Sequence, residues 1–553
     1  MKILLVQPPI QEFYRTSIRT QPIGLAYLGA SLKRKGHEVE ILDCQTERRK
    51  PIPIPSELSY LRDFYPFNDR SPFKLYTGYY HFGMEWEEIG QRIKNSKADA
   101  FGISSSFTPY HGEALKIAQI IKNWDRKKIV AMGGAHVSCD PEGVLESPFV
   151  DFVVLGEGEV RFPSLLEKIG KGRLKNIEQI DGIGFRRDGE IRINPIQNFI
   201  QNLDSLPHPA RELLDLDRYR IGKKRSTMII TSRGCPHGCA YCSAHLVMGP
   251  FFRPRTPEAV LKEVMEGQKE YGIEIFDIED DNFTFDQGRA KKLMSLMIEN
   301  FGEGGIKLSA MNGVSLASLD EELLRLMKRA GFHTINLSFV SIDSSTKERM
   351  RRPKPIAEFD KILENAEQAG LNTIAYAILG MPGQTIEEMV NTLIDLMSRR
   401  VLIGPSVYYP TPGTPLFEQC QREGVLPPHL SQWRSSAIPI ETKEFNRLDL
   451  LTLFRLARAI NFIKGKIDRR ELEEGITWEE LIVALQEKAK GEGEDNGTSW
   501  LDLLLLLFSE RSFFGLKKDS GKVSFVREGS SKKVLDYFFE KAWRSPILKS
   551  RNV

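Results

Sequence analysis

The sequence predicts an α/β protein of three parts: an N-terminal doubly wound domain, a partial (β/α)6 barrel and a mostly helical C-terminal region. Three observations predict it. Short apolar runs alternate with helical stripes over residues 1–171, six further runs with helical stretches between most of them occupy 225–425, and helix-periodic segments dominate 426–553. Residues 172–224 read as a connector. The length of 553 residues also exceeds one ordinary domain.

Lys2 to Val6 is a continuous apolar run, the pattern of a strand buried on both faces. Leu25, Leu28 and Leu32 mark a helix, and Val39 to Leu42 a second strand. An aromatic and proline-rich insertion spans Arg48 to Gly83. Its Tyr76, Tyr79, Tyr80 and Phe82 either line a pocket or pack internally. Strands are expected again at Ala98 to Ser105, Lys128 to Met132 and Phe152 to Leu155, with a helix at Glu113 to Trp124.

Ligands of such sheets bind at loops following the strands' carboxyl ends. Here those loops are Gln7-Pro8-Pro9, Ser104-Ser105-Ser106, Gly133-Gly134-Ala135-His136 and Gly156-Glu157-Gly158-Glu159. Paired glycines permit close backbone approach, either to a ligand or in a plain tight turn.

In the connector, Arg187-Asp188-Gly189 reads as a hairpin turn, followed by the proline-punctuated Leu206-Pro207-His208-Pro209. The six barrel strands are expected at Met228 to Ile230, Ile273 to Ile278, Ile306 to Ala310, Thr334 to Phe339, Thr373 to Leu379 and Ser406 to Tyr409. A glycine- and acid-rich break at Gly491 to Gly497 reads as a loop within the C-terminal helices.

With 77 basic and 74 acidic residues the net charge is +3, which gives no overall field to attract nucleic acid. The start, MKILLVQPPI, lacks the apolar core of a secretory signal. Trp500 to Phe508 is very apolar but is interrupted by Asp502 and falls short of the ~20 residues of a bilayer span. No transmembrane segment is expected, and that run favours a hydrophobic small-molecule substrate. Of six cysteines, three crowd into eight residues, which argues for metal binding in a reducing cytoplasm rather than disulfides.

Those three are Cys235, Cys239 and Cys242, in Thr231-Ser-Arg-Gly-Cys-Pro-His-Gly-Cys-Ala-Tyr-Cys242 directly after a strand. Three thiolates on one short loop can each hold a different iron of a cubane, leaving the fourth iron open as a Lewis-acid site. Zinc is the rival, with His237 or His245 completing a tetrahedral set.

The cysteine spacing, with Tyr241 before the last thiol, closely resembles the signature of the radical S-adenosylmethionine (SAM) superfamily. The loops at Gln7, Gly133 and Gly156 resemble those of its subgroup with an N-terminal cobalamin-binding domain. Phe252 to Arg255, Glu279 to Phe283, Met311 to Gly313, Gly380 to Gly383 and Tyr409 to Thr414 are similar to that subgroup's barrel motifs.

The resemblance implies a [4Fe–4S] cluster on Cys235, Cys239 and Cys242, SAM on its open iron, and a 5′-deoxyadenosyl radical formed by reductive cleavage. Tyr241, Asp280, Asp281, Ser309, Asn312, Ser341 and Gly380 are the expected SAM contacts. Gln7, Pro8, Ser104, Ser105, Gly133, Gly134, His136, Gly156 and Glu157 are the expected cobalamin contacts. An electron donor such as flavodoxin or ferredoxin is implied as a partner.

Two departures stand out. Many relatives carry glutamate before serine after the fourth strand, where this chain has Val340-Ser341, and no D-x-H-x-x-G motif supplies an axial histidine to cobalt. Methylation of an unactivated carbon or phosphorus centre is the leading expectation. A non-methylating radical reaction (ring formation, ring contraction or carbon–carbon coupling) is the alternative, and a zinc-stabilised binding module a third. Methylthiolation of transfer RNA needs a second cysteine triplet, and only Cys44 and Cys139 precede the motif.

Overall fold

The computed structural model describes residues 1–14, 21–45, 48–65, 68–172, 174–352, 358–491, 499–519 and 522–549. Beyond Gly491, the break expected at 491–497 lies outside the described residues.

Strands β1 (Lys2–Gln7), β2 (Glu38–Asp43), β3 (Ala100–Ser104), β4 (Ile129–Gly133) and β5 (Phe152–Val154) form a parallel sheet in the order β2-β1-β3-β4-β5. The order reverses between β1 and β3, so the loops after Gln7 and Ser104 flank the crevice where such sheets take ligands. The expected hairpin is present as β6 (Ile183–Arg187) and β7 (Glu190–Ile193). Asp188 and Gly189 both have positive φ, as a type I′ turn requires. It pairs antiparallel with β5, so part of the connector completes the first sheet.

In the insertion, Ile10–Glu12, Tyr80–Phe82 and Arg49–Pro51 make a small antiparallel sheet. Phe13 packs on Tyr65 and Tyr79 at ring separations of 5.4 and 4.7 Å, and Tyr76 meets Tyr65 edge-on at 5.1 Å. Internal packing therefore accounts for Tyr76 and Tyr79.

The barrel strands are β8 (Lys224–Ile229), β9 (Ile273–Ile278), β10 (Lys307–Ser309), β11 (Thr334–Val340), β12 (Asn372–Leu379) and β13 (Leu402–Val407). They form two parallel sets of three, β8-β9-β10 and β11-β12-β13. Parallel bridges Leu308–Phe332 and Val314–Leu337 join the sets. Among the described residues β13 does not pair with β8, so the barrel is partial. Its helices start where short polar side chains accept N-terminal amides: Thr256, Asp286, Asp320 and Thr385 each cap one.

Strand β13 begins four residues earlier than the expected Ser406, and it contains Gly404 and Pro405. Turn-forming residues are tolerated there because β13 is an edge strand. The free edge is covered by the helix Arg447–Asp468. Asn461 accepts from Ile403 N at 2.9 Å and donates to Ile403 O at 2.8 Å. Three residues on, the enclosed Lys464 ammonium donates to the carbonyls of Leu396, Arg399 and Val401 at 2.7, 2.8 and 2.7 Å.

The C-terminal region also carries an unexpected hairpin, Phe514–Asp519 with Lys522–Arg527, docked on the insertion through Leu516 N to Asp69 at 2.9 Å. The apolar run at Trp500 lies in the helix Ser499–Glu510, where Leu503, Leu504 and Leu507 are core residues. Packing thus explains that run, and it gives no ground for a hydrophobic substrate. No described helix is long and apolar enough to cross a membrane.

Buried ion pairs lock the doubly wound domain to the barrel. Glu157 accepts from Arg233 at 3.0 Å, Arg253 at 2.9 Å and Ile200 N at 2.7 Å, while Glu159 takes the other nitrogen of Arg233 at 2.5 Å. Glu263, on the first barrel helix, is held by Arg211 at 2.7 Å and by Arg255, with Tyr27 of the first domain at 3.3 Å. Gln21 of that domain accepts from Thr227 and Met228 of β8, both at 2.8 Å. Burial alone would push Glu159 and Glu263 up, but the guanidinium groups outweigh it and hold both carboxyls below the usual range.

Replacing Glu157 by alanine leaves Arg253 buried without its acid and Arg233 with Glu159 alone, and is expected to cost about 3–5 kcal/mol in chemical denaturation. Because Glu159 and Glu263 titrate below their ordinary value of 4.5, their contribution is complete at neutral pH and is lost as pH falls below 4.5 through the lowered values. Lys464→Met, which strands three carbonyls, should lower stability by about 2 kcal/mol or more in the same measurement.

Candidate functional site

The thiol loop leaves β8 through the short strand Ser232–Arg233, which pairs with Arg253–Pro254. Gly234 has φ +79°, and a Cβ there would lie 2.2 Å from Phe251 O, so only glycine makes this turn. The loop is stitched at both faces: Ala240 N donates to Met350 O at 3.0 Å, and Ala240 O accepts from Leu416 N at 2.9 Å. Cys235, Cys239 and Cys242 all carry free thiols. Burial pushes the Cys235 thiol up and that of Cys242 up to about 11.

Two donors face these sulfurs. Asn282 Nδ2 lies 3.8 Å from Cys235 Sγ, and Arg352 Nη1 lies 3.7 Å from Cys239 Sγ. Donors aimed at sulfur suit thiolates bound to metal. No group of three or more His, Cys, Asp or Glu side chains converges as single-ion ligands among the described residues. A cubane asks its ligands to reach three separate corners. His237 packs against Phe285 at 5.8 Å, and His245 sits on the short helix Ala244–Val247.

The acidic residues after β9 divide by direction. Asp280 is buried and accepts from Thr231 N at 2.6 Å, Thr231 Oγ1 at 2.5 Å and Ser232 Oγ at 2.6 Å; Asp281 accepts from Gly234 N at 2.9 Å. Both anchor the start of the thiol loop. Along β9, Phe276 faces the outer helix at Gly267, so by alternation Asp277 and Glu279 face the barrel interior. Asp277 accepts from Ser309 Oγ at 2.7 Å, and its Oδ2 is buried without a partner. Glu279 accepts from Asn312 Nδ2 at 2.7 Å. The expected Ser309 and Asn312 therefore sit in a polar group whose acids sequence reasoning passed over; their signal was two acids at alternate positions of an apolar strand.

Ser341 is enclosed, with Glu388 at 3.1 Å and Thr392 at 3.3 Å as partners, and points into the barrel wall. The β-branched Val340 before it has φ +71° at an irregularity in the β11–β12 register, a strained position. Gly380 backs onto the C-terminal helix, where an added Cβ would meet Leu450 at 2.7 Å. Tyr241 is half-buried beside Arg352 and Cys239, and burial raises its hydroxyl above the ordinary value.

At the sheet edge, Gln7 O accepts from Cys44 N at 2.9 Å and Pro8 O from Gln45 Nε2 at 3.0 Å. Ser104 and Ser106 hydroxyls lie 3.3 Å apart, and Ser105 Oγ meets His111 Nδ1 at 3.0 Å. The glycines answer to protein neighbours. A Cβ on Gly133 would meet Val154 O at 3.3 Å, one on Gly134 would meet Ser105 O at 2.6 Å, and one on Gly156 would meet Val247 O at 3.1 Å. Glu157 is consumed by its ion pairs. His136 bonds Thr108 at 3.1 Å, and burial lowers its pKa to about 4, so the ring is neutral; its Nε2 is buried without a partner. Polar serines beside the strand-order reversal and that orphan nitrogen suit a large polar ligand such as cobalamin.

The two loop systems abut. The helix Ala244–Val247, directly after Cys242, packs on Ala135–Cys139, and a Cβ on Gly413 would sit 2.8 Å from Leu246.

Comparison with known proteins agrees with this arrangement. Residues 229–396 match the radical SAM superfamily and residues 77–166 the B12 binding domain. The chain is 29% identical over 478 residues to an uncharacterized methyltransferase of Pyrococcus horikoshii, covering 84% of this chain and 94% of that one. It is 28% identical over 478 residues to the cytidylyl-2-hydroxyethylphosphonate methyltransferase of Streptomyces wedmorensis, covering 78% and 84%. In fold it is similar to the radical SAM methyltransferase TsrM from Kitasatospora setae, solved with cobalamin and a [4Fe-4S] cluster bound. The TM-score is 0.58 at 20% identity over 76% of this chain and 78% of that one. The chain thus carries a B12-binding domain at residues 77–166 ahead of a radical SAM domain at residues 229–396.

Proposed function

We propose that this protein transfers a methyl group to an unactivated carbon or phosphorus centre of a small molecule. The observation that carries the proposal is the packing of the helix after Cys242 on the helix after Gly134, which brings the cluster loop and the B12-domain loops together. The methyltransferase names of both sequence relatives support it. When bound, the cluster with SAM supplies a 5′-deoxyadenosyl radical, and cobalamin supplies a transferable methyl group.

The protein's own part is positional. Cys235, Cys239 and Cys242 hold the cluster, and Asp280 and Asp281 fix the loop that presents them. Asp277 offers a buried acceptor to the cosubstrate's ammonium, with Ser309 and Asn312 beside it as hydrogen-bonding groups for its carboxylate or ribose. Ser104, Ser105 and His136 serve the cobalamin face. The buried ion pairs keep the two faces from parting and exclude water between them. A flavodoxin or ferredoxin in the cytoplasm is the proposed source of electrons.

Anaerobic incubation with SAM, cobalamin, a strong reductant and candidate substrates tests the reading. 5′-Deoxyadenosine and S-adenosylhomocysteine should appear together, with a product heavier by one methylene. 5′-Deoxyadenosine alone would mark a different radical reaction and overturn methyl transfer. Alanine at Cys235, Cys239 or Cys242 should abolish both products and sharply reduce bound iron, while cobalamin retention stays near that of the native chain.

A further inference from the structure

We infer that Arg352 sets the reduction potential of the iron–sulfur cluster, acting as a positioning residue through the sulfur of Cys239. The inference rests on the assignment of Cys235, Cys239 and Cys242 as cluster ligands.

Arg352 follows the helix Ser344–Arg349 beyond β11. The chain turns back there at Arg351, whose φ is +51°, and Met350 O is tied to Ala240 N of the thiol loop. That turn sends the guanidinium to the loop. One nitrogen lies 3.7 Å from Cys239 Sγ and the other donates to Ser338 O at 3.0 Å.

What sets this arginine apart is its counter-charge. Four buried arginines near the domain junction each face an acid: Arg233 and Arg253 face Glu157, Arg255 faces Glu263, and Arg434 faces Glu12; a fifth, Arg289, instead donates to the carbonyls of Arg255 and Thr231. Arg352 makes no ion pair with any described carboxylate. A desolvated cation without an acid is costly, and here the available anion is the thiolate set. Asn282 adds a neutral donor at Cys235, whereas Cys242 has no side-chain donor among the described residues.

A cubane with three thiolates is negative when oxidised and more negative after taking one electron. A fixed cation touching one of its sulfurs favours the reduced form, and hydrogen bonds to sulfur act in the same sense. Arg352 thus makes the cluster easier to reduce by an external one-electron donor. The same guanidinium ties the Cys239 corner to β11, which fixes its distance from the sulfur.

The test is a redox titration of the anaerobically reconstituted full chain, with the reduced cluster followed by electron paramagnetic resonance and iron measured in every sample. Arg352→Gln and Arg352→Met should load iron like the native chain. At a fixed poise their ratio of reduced to oxidised cluster should be at least about tenfold lower, a midpoint about 59 mV more negative for a one-electron couple. Arg352→Lys, which keeps the charge, should stay within about threefold of the native ratio.

Native and neutral-variant potentials that coincide at full iron loading overturn the inference while leaving the ligand assignment intact. Iron lost from both neutral variants but held by Arg352→Lys assigns the residue to loading rather than to potential, and also overturns it. A native chain that holds no cluster removes the ligand assignment itself, and the inference with it.

Discussion

Everything at the site depends on one buried constraint, the grip of Glu157 on Arg233 and Arg253. Arg233 stands two residues before Cys235 and Arg253 on the strand that pairs with it, while Glu157 follows the last parallel strand of the other domain. Glu157, with Glu159 on the other nitrogen of Arg233, therefore fixes the start of the thiol loop relative to the B12-domain loops. Desolvated charges of this kind hold geometry firmly, because any partial separation leaves a bare ion in a poor dielectric. A radical reaction between two cofactors needs such a fixed gap, since reacting atoms misplaced by an ångström lose much of the rate.

Much of this architecture was legible in the sequence, for identifiable reasons. Continuous apolar runs marked the parallel strands because both their faces are covered, and an Asp-Gly pair marked the hairpin because a type I′ turn needs positive φ twice. Cys235, Cys239 and Cys242 stood out in the sequence because three thiols crowd onto one loop. Strand β13 was read too short, since Gly404 and Pro405 look like turn residues until an edge position excuses them. The C-terminal hairpin was missed because nothing local distinguishes it; it is held by a distant partner, Asp69.

The binding residues were harder to read, and the difficulty is instructive. Motif position led to Asp280 and Glu157, which are buried against protein donors, and to Asp281, which is exposed and accepts from Gly234 N. The groups facing the barrel interior are Asp277 on β9 and Glu279 just beyond it; the pleat identifies both, and only Glu279 stands in a motif. Likewise the glycines at 133, 134 and 156 lie close to neighbouring carbonyls, at 3.3, 2.6 and 3.1 Å from an added Cβ. A sequence states which residues are special at a site; only packing states whether the reason is a ligand or the fold beneath it.

The amide of Asn461 has a consequence beyond the site. By answering both backbone groups of Ile403 it stands in for the strand that an open barrel lacks. A chain cut short before this helix would bare an apolar strand edge, and such an edge is a template on which a second molecule can add its own strand. The C-terminal region is in that sense a guard against self-association, whatever else it contributes to the reaction.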